Sequence, residues 1–108
     1  MIDILPYLQK IQNRFTDPAI QTGFKGYSKT FQLEFTDLNE SYSLKIEDGQ
    51  KAILEKGKVE KADLTVTTTS DVVIGIMEKK INPMTAYSTR KVKAVGSMDD
   101  LLRLQKLL

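Results

Sequence analysis

The chain has 108 residues, 41% hydrophobic and 28% charged, with 16 basic against 14 acidic side chains. That length and balance predict one domain spanning 1–108 with a genuine core, and a net charge of +2 leaves no overall footprint of nucleic-acid binding. The absence of cysteine and histidine excludes disulfides, thiolate and imidazole metal sites, and the commonest catalytic nucleophile and base. No apolar run approaches the ~20 residues of a membrane span, and Met1-Ile-Asp-Ile-Leu-Pro lacks the character of a signal peptide. A cytoplasmic protein without a cofactor is expected.

Ile4, Leu8, Ile11 and Phe15 recur at helical spacing and predict a helix over 2–15, capped by Asp3, with Pro6 tolerated in its first turn. Asp17-Pro18 reads as the cap and first residue of a short helical turn that Gly23 and Gly26 close. From Ser28 the period changes to two. Phe31, Leu33 and Phe35 alternate with polar residues, as do Tyr42, Leu44 and Ile46. Asp48-Gly49 is a hairpin signal, because both positions accept positive φ. A third strand carries Ala52 and Leu54 on one face and ends at Gly57, and a fourth carries Leu64 and Val66. One apolar and one polar face on every strand predicts an antiparallel sheet covered on a single side.

Two helices follow, with a short basic strand between them. Ser70 and Asp71 predict the start of the first by side-chain capping and charge. On a helical wheel of about 100° per residue, Val72, Val73, Ile74, Ile76, Met77 and Ile81 occupy a broad arc. Gly75 within it reads either as a point of close approach or as incidental. Asn82-Pro83 opens a short helix through Tyr87. Lys91 to Val95 reads as a fifth strand with Val92 and Ala94 inward, and Ser97 caps a last helix striped by Leu101, Leu104 and Leu108 and flanked by Met98, Leu102 and Leu107. The whole is α+β, a five-stranded, largely antiparallel sheet with helices on one face.

Ala62-Asp63-Leu64-Thr65-Val66, then Asp71, Met77, Asn82-Pro83, Ala86-Tyr87, Lys91-Val92-Lys93 and Gly96 follow one another as in a known pattern. In that order and spacing, over about residues 30–108, the sequence resembles the sterol carrier protein type 2 domain family. The resemblance implies a non-enzymatic domain that encloses a fatty acid, a fatty acyl-coenzyme A or a sterol between sheet and helices, with Tyr87 near the ligand. The family usually has glycine where Lys80 ends the first central helix and again at Arg90, so the cavity rim is expected to differ here. Gln105-Lys-Leu-Leu is not the peroxisomal Ser-Lys-Leu-type ending of eukaryotic members.

For each apolar residue alone, a solid core is a sufficient explanation. The arc width of both helices, together with four methionines, whose side chains adapt to varied ligands, points to a cavity instead. Its candidate wall is Phe31, Leu33, Val73, Met77, Met84, Tyr87, Leu101 and Leu104. An empty cavity of ~300 Å³ would cost about 7 kcal/mol at ~24 cal/mol per Å³, against a total stability of ~5–15 kcal/mol. The unliganded form is therefore expected to hold lipid or to contract. Lys79, Lys80, Arg90, Lys91 and Lys93 form a local basic group, read either as a solvated face or as a dock for anionic headgroups, with Lys80, Arg90 and Lys91 as its contacts. The expected partners are a small hydrophobic ligand and a peripheral membrane surface, with no nucleic acid, for a monomer or weak homodimer. The rival reading gives the apolar face of the last helix to dimerisation or to an accessory role.

Overall fold

The computed structural model describes residues 3–108. Five strands, β1 (Lys29–Phe35), β2 (Glu40–Glu47), β3 (Lys51–Lys56), β4 (Leu64–Thr68) and β5 (Lys93–Gly96), form one sheet in the order β3-β2-β1-β4-β5. All neighbours are antiparallel except β1 and β4, which run parallel. The inward residues are those that alternation assigned: Phe31, Leu33, Phe35, Tyr42, Leu44, Ile46, Leu64 and Val66 are all buried. In the β2–β3 turn Asp48 and Gly49 both have positive φ, and the Gln50 amide donates to the Glu47 carbonyl at 3.0 Å. Gly49 is also required for space, because a Cβ there would stand 1.9 Å from the Phe24 carbonyl oxygen.

Because β4 lies beside β1, the chain leaving β3 must cross the sheet before β4 begins. Residues 57–63 do so over the polar face, where the Val59 amide donates to Gln32 Oε1 at 3.1 Å and Lys58 pairs with Glu34 at 3.4 Å. At its end the Asp63 amide and carboxylate tie to the backbone of Thr30. The polar face is therefore partly covered, and Gln32 and Ser43 are buried.

The helices α1 (Leu5–Asn13), α2 (Pro18–Gly23), α3 (Ser70–Met77), α4 (Pro83–Ser88) and α5 (Met98–Leu107) complete the fold. The first is shorter than periodicity suggests. The chain tightens into a 3-10 turn at Arg14–Thr16, which carries Phe15 into the core. Ile4 takes the cap position without a side-chain bond, while Asp3 accepts from the Leu5 amide at 3.1 Å; the expected start at residue 2 lies outside the described residues. Asp17 caps α2 as expected, accepting from the Ala19 amide. The β5 strand begins two residues later than predicted, because Lys91 and Val92 are held by the end of α4 through bonds to the Ala86 carbonyl.

Candidate functional site: an apolar cavity and a basic groove

Capping at α3 departs from expectation. Thr69 holds the N-cap position without a side-chain bond, and the Ser70 hydroxyl faces away from its own helix. It donates instead to the Asp37 carboxylate, whose other oxygen accepts the Ser70 amide at 3.0 Å. Burial works to raise the Asp37 pKa, but these hydrogen bonds outweigh it and hold the carboxyl below its ordinary value. The predicted continuation of α3 to Ile81 fails because Lys79 adopts φ +62. The Lys79 and Lys80 amides then close on the Ile76 and Gly75 carbonyls, a Schellman ending. Ile81 folds back over Gly75, where a Cβ would come within 2.4 Å of its side chain. Gly75 is thus a point of close approach.

Asn82 caps α4 by accepting from the Met84 and Thr85 amides at 2.9 and 3.2 Å, with Pro83 in the first turn. The helix ends in a second Schellman motif with Arg90 at φ +64. Ala86 packs with Val72 and Ile76, and Ile81, Val92 and Leu108 lie against this small core, separate from the main one. Ser97 caps α5 through the Asp100 amide. The buried Asp100 carboxylate accepts the Tyr27 hydroxyl at 2.5 Å, and the Arg103 guanidinium lies 4.6 Å from the Tyr27 ring centre. Burial first, then the hydrogen bond to Asp100, pushes the Tyr27 pKa far up; the same two causes, with Glu40 as partner, push Tyr42 up to about 12.

These elements enclose a cavity of about 60 Å³ at the seam between the two cores. Leu33, Phe35, Val66 and Thr68 form its floor, Val73 and Ile76 one wall, and Pro83, Met84 and Tyr87 a second. Leu101, Leu104 and Gln105 of α5, with Leu108 at its C-cap, form the third, and Ile11 and Val92 complete the lining. Only Thr68, Tyr87 and Gln105 carry side-chain polar atoms among these residues, and the Thr68 hydroxyl donates to the Lys91 carbonyl at 2.8 Å. Such a lining can exclude water and bury hydrocarbon. It holds no carboxylate and no amine, and no group of three potential metal-ligating side chains converges among the described residues.

Six of the eight wall candidates line the cavity: Leu33, Val73, Met84, Tyr87, Leu101 and Leu104. Phe31 stands outside it, fully buried beside Tyr27, and Met77 packs half-buried on the main core from the last turn of α3. Phe35 and Val66 were reachable from the period of two that identified Leu33. Ile11 carried no such signal, since nothing local shows that α1 reaches the opposite helices. Of the cations, Lys80 pairs with Glu78 at 3.6 Å, whereas Arg90, Lys91 and Lys93 line an open groove of about 430 Å³ beside the β4–α3 turn.

The chain belongs to the SCP-2 sterol transfer family, whose pattern it matches over residues 8–108. Among solved structures, the palmitated SCP2L2 of Aedes aegypti is similar with a TM-score of 0.73 at 20% identity, over 93% of this chain and 88% of that one. The UbiJ-SCP2 ubiquinone synthesis protein is similar at 0.71 and 15%, over 94% and 85%. The sec-alkylsulfatase Pisa1 of Pseudomonas sp. is similar at 0.72 and 27%, over 82% of this chain, which spans only 14% of the sulfatase. No curated protein sequence matches. The fold is thus the α+β fold of the family, with a sheet that is mostly antiparallel, and no helix among the described residues is long and apolar enough to cross a membrane.

Proposed function

We propose that residues 1–108 act as one lipid-binding domain that takes a single acyl chain into the cavity between sheet and helices, and passes it on without chemistry. The observation that carries this reading is the cavity itself, walled mostly by hydrocarbon from four directions and lined by no carboxylate or amine. Its volume of about 60 Å³ is well below the ~300–1,000 Å³ of ordinary ligand pockets. At ~24 cal/mol per Å³ the vacancy costs only about 1.4 kcal/mol, so contraction removes most of the penalty of an empty binding site. Binding then requires the α3–α4 unit and α5 to separate from the main core along their seam. A flexible chain suits a space that must be wedged open better than a rigid sterol does. Leu33, Val73, Met84, Tyr87, Leu101 and Leu104 are its contacts, and Phe31 and Met77 join the wall in the widened state.

Met84 and Tyr87 on the two-turn helix α4 form the door, since Met84 is already 45% exposed. Delivery occurs in the cytoplasm as a monomer, with peripheral contact to anionic membrane through Lys80, Arg90 and Lys91. The similar segment within the much longer alkylsulfatase favours a second reading, an accessory lipid-handling role beside an enzyme. The dimer reading is weakened because Leu101, Leu104 and Leu107 turn inward, leaving Met98 and Leu102 as the exposed large apolar residues of α5. Native mass spectrometry of the purified chain tests the proposal. Additional mass corresponding to bound fatty acid or phospholipid is expected, and lipid-free protein from every natively purified batch contradicts it.

A further inference from the structure

We propose that the outer edge of β5 accepts an extended, acidic segment of a partner protein as an added strand. The inference is independent of what the cavity holds. The order β3-β2-β1-β4-β5 leaves the sheet two edges, and they are finished differently. At β3, helix α1 packs against the strand and Gln12 Nε2 donates to the Ala52 carbonyl at 2.8 Å. The lysines of that edge are also satisfied, Lys51 by Glu47 at 3.3 Å and Lys56 by Glu40 at 3.8 Å. At β5, Lys93–Gly96 pairs with β4 on one side, and no backbone group outside the ladder bonds to it among the described residues. A strand paired on one side presents unpaired N–H and C=O groups on the other, a template for a further strand. Lys93, Val95 and Gly96 are exposed, Val95 at 75%.

The side chains of this edge define the strand that fits it. Lys93 and Val95 are alternate residues and share one face of β5, while Ala94 between them packs on the main core. Lys91 and Lys93 both line the groove beside the β4–α3 turn, where Asp71 is the single carboxylate. Neither lysine forms an ion pair among the described residues, in contrast to the two on β3. Lysine on an open edge works against pairing with a second copy of the same chain. It favours a strand that brings carboxylates, because opposite charges on neighbouring strands attract, and Val95 favours an aliphatic neighbour on the same face. The fitting segment therefore alternates acidic and aliphatic residues on one face. In this mode the ladder supplies affinity and the alternate side chains supply specificity.

The test is an NMR titration of the isotope-labelled full chain with the acetylated and amidated peptide Thr-Glu-Thr-Val-Thr-Glu-Thr, whose pattern reads the same in either strand direction. Saturable shifts are expected at the amides of Lys93–Gly96 and not at those of β3. Replacing both glutamates of the peptide by lysine should weaken binding by roughly tenfold at low salt. The combined Lys91→Glu and Lys93→Glu variant should reverse that preference. Methylated peptide nitrogens separate strand addition from a mere charge contact, because alternate amides of a strand point to opposite sides. Methylation of either the threonine set or the Glu-Val-Glu set should abolish binding, while methylation of the other leaves it intact. This comparison needs only the wild-type chain and decides the matter if the variant does not fold. Equal effects of the two sets, no saturable shift at β5, or equal binding of the lysine peptide overturns the proposal. Shifts at Lys93–Gly96 that depend on protein concentration without peptide identify a second copy as the occupant and also overturn it. So do shifts induced by phosphatidylglycerol vesicles and not by the peptide, which give the edge to a membrane.

Discussion

Asp37 caps α3 from another element: its carboxylate accepts both the amide and the hydroxyl of Ser70, 33 positions along the chain. The bond joins the β1–β2 turn to the helix that walls the cavity. Replacing Asp37 by alanine should cost ~1–2 kcal/mol, read as a lower midpoint in urea, with Asp37→Asn recovering part of it. Its carboxyl is held below the ordinary value, so this stability is present above about pH 4 and is lost as pH falls through the lowered folded-state value. The wild-type acid limb should therefore be steeper than that of Asp37→Asn.

Gly75 and Ile81 are coupled by direct contact. Alanine at position 75 gains ~1 kcal/mol of helix propensity but forces a Cβ against the Ile81 side chain, an overpacking that costs ~1–3 kcal/mol. Gly75→Ala alone should destabilise the protein. In an Ile81→Ala background the same substitution should stabilise it, a change of sign that a double-mutant cycle by chemical denaturation would read directly.

Lys79 ends α3 in a left-handed conformation at φ +62, exposed and in no ion pair among the described residues. Lys79→Gly should stabilise by ~0.5–1 kcal/mol, the relief of the side chain offset by glycine's greater unfolded freedom. An unchanged or lower thermal midpoint would contradict this assignment.

The Tyr27–Asp100 bond fixes the start of α5 to the entrance of β1. Tyr27→Phe should cost ~1–2 kcal/mol, since it leaves a buried carboxylate oxygen without its partner. Because folding raises the Tyr27 pKa, its contribution is full below about pH 10 and declines as pH rises from there toward the folded-state value. Tyr27→Phe should flatten the alkaline limb of the stability profile.

Periodicity placed the five strands and the inward faces of Leu33, Val66, Leu101 and Leu104, because strand alternation and helical spacing are local consequences of which face is buried. The Asn82-Pro83 pair located the short helix that carries Tyr87, as cap and first residue. What escaped the sequence was decided at a distance. Ser70 resembles a cap in sequence, yet Asp37 arrives from another element and takes its hydroxyl. The family comparison pointed to position 80 for an unusual backbone, but Lys79 carries the positive φ and Lys80 only follows it. Ile11 reaches the cavity solely because α1 packs across the same sheet face, and Phe31 misses it although it shares that face with Leu33.

The central claim is that hydrocarbon burial in the contracted cavity drives binding, and a ladder of saturated fatty acids in a displacement assay tests it most directly. Each added methylene should tighten binding by up to about fourfold, from ~0.8 kcal/mol per buried group, until the widened cavity is full and affinity levels off. Affinity that stays flat from short to long chains would contradict the account.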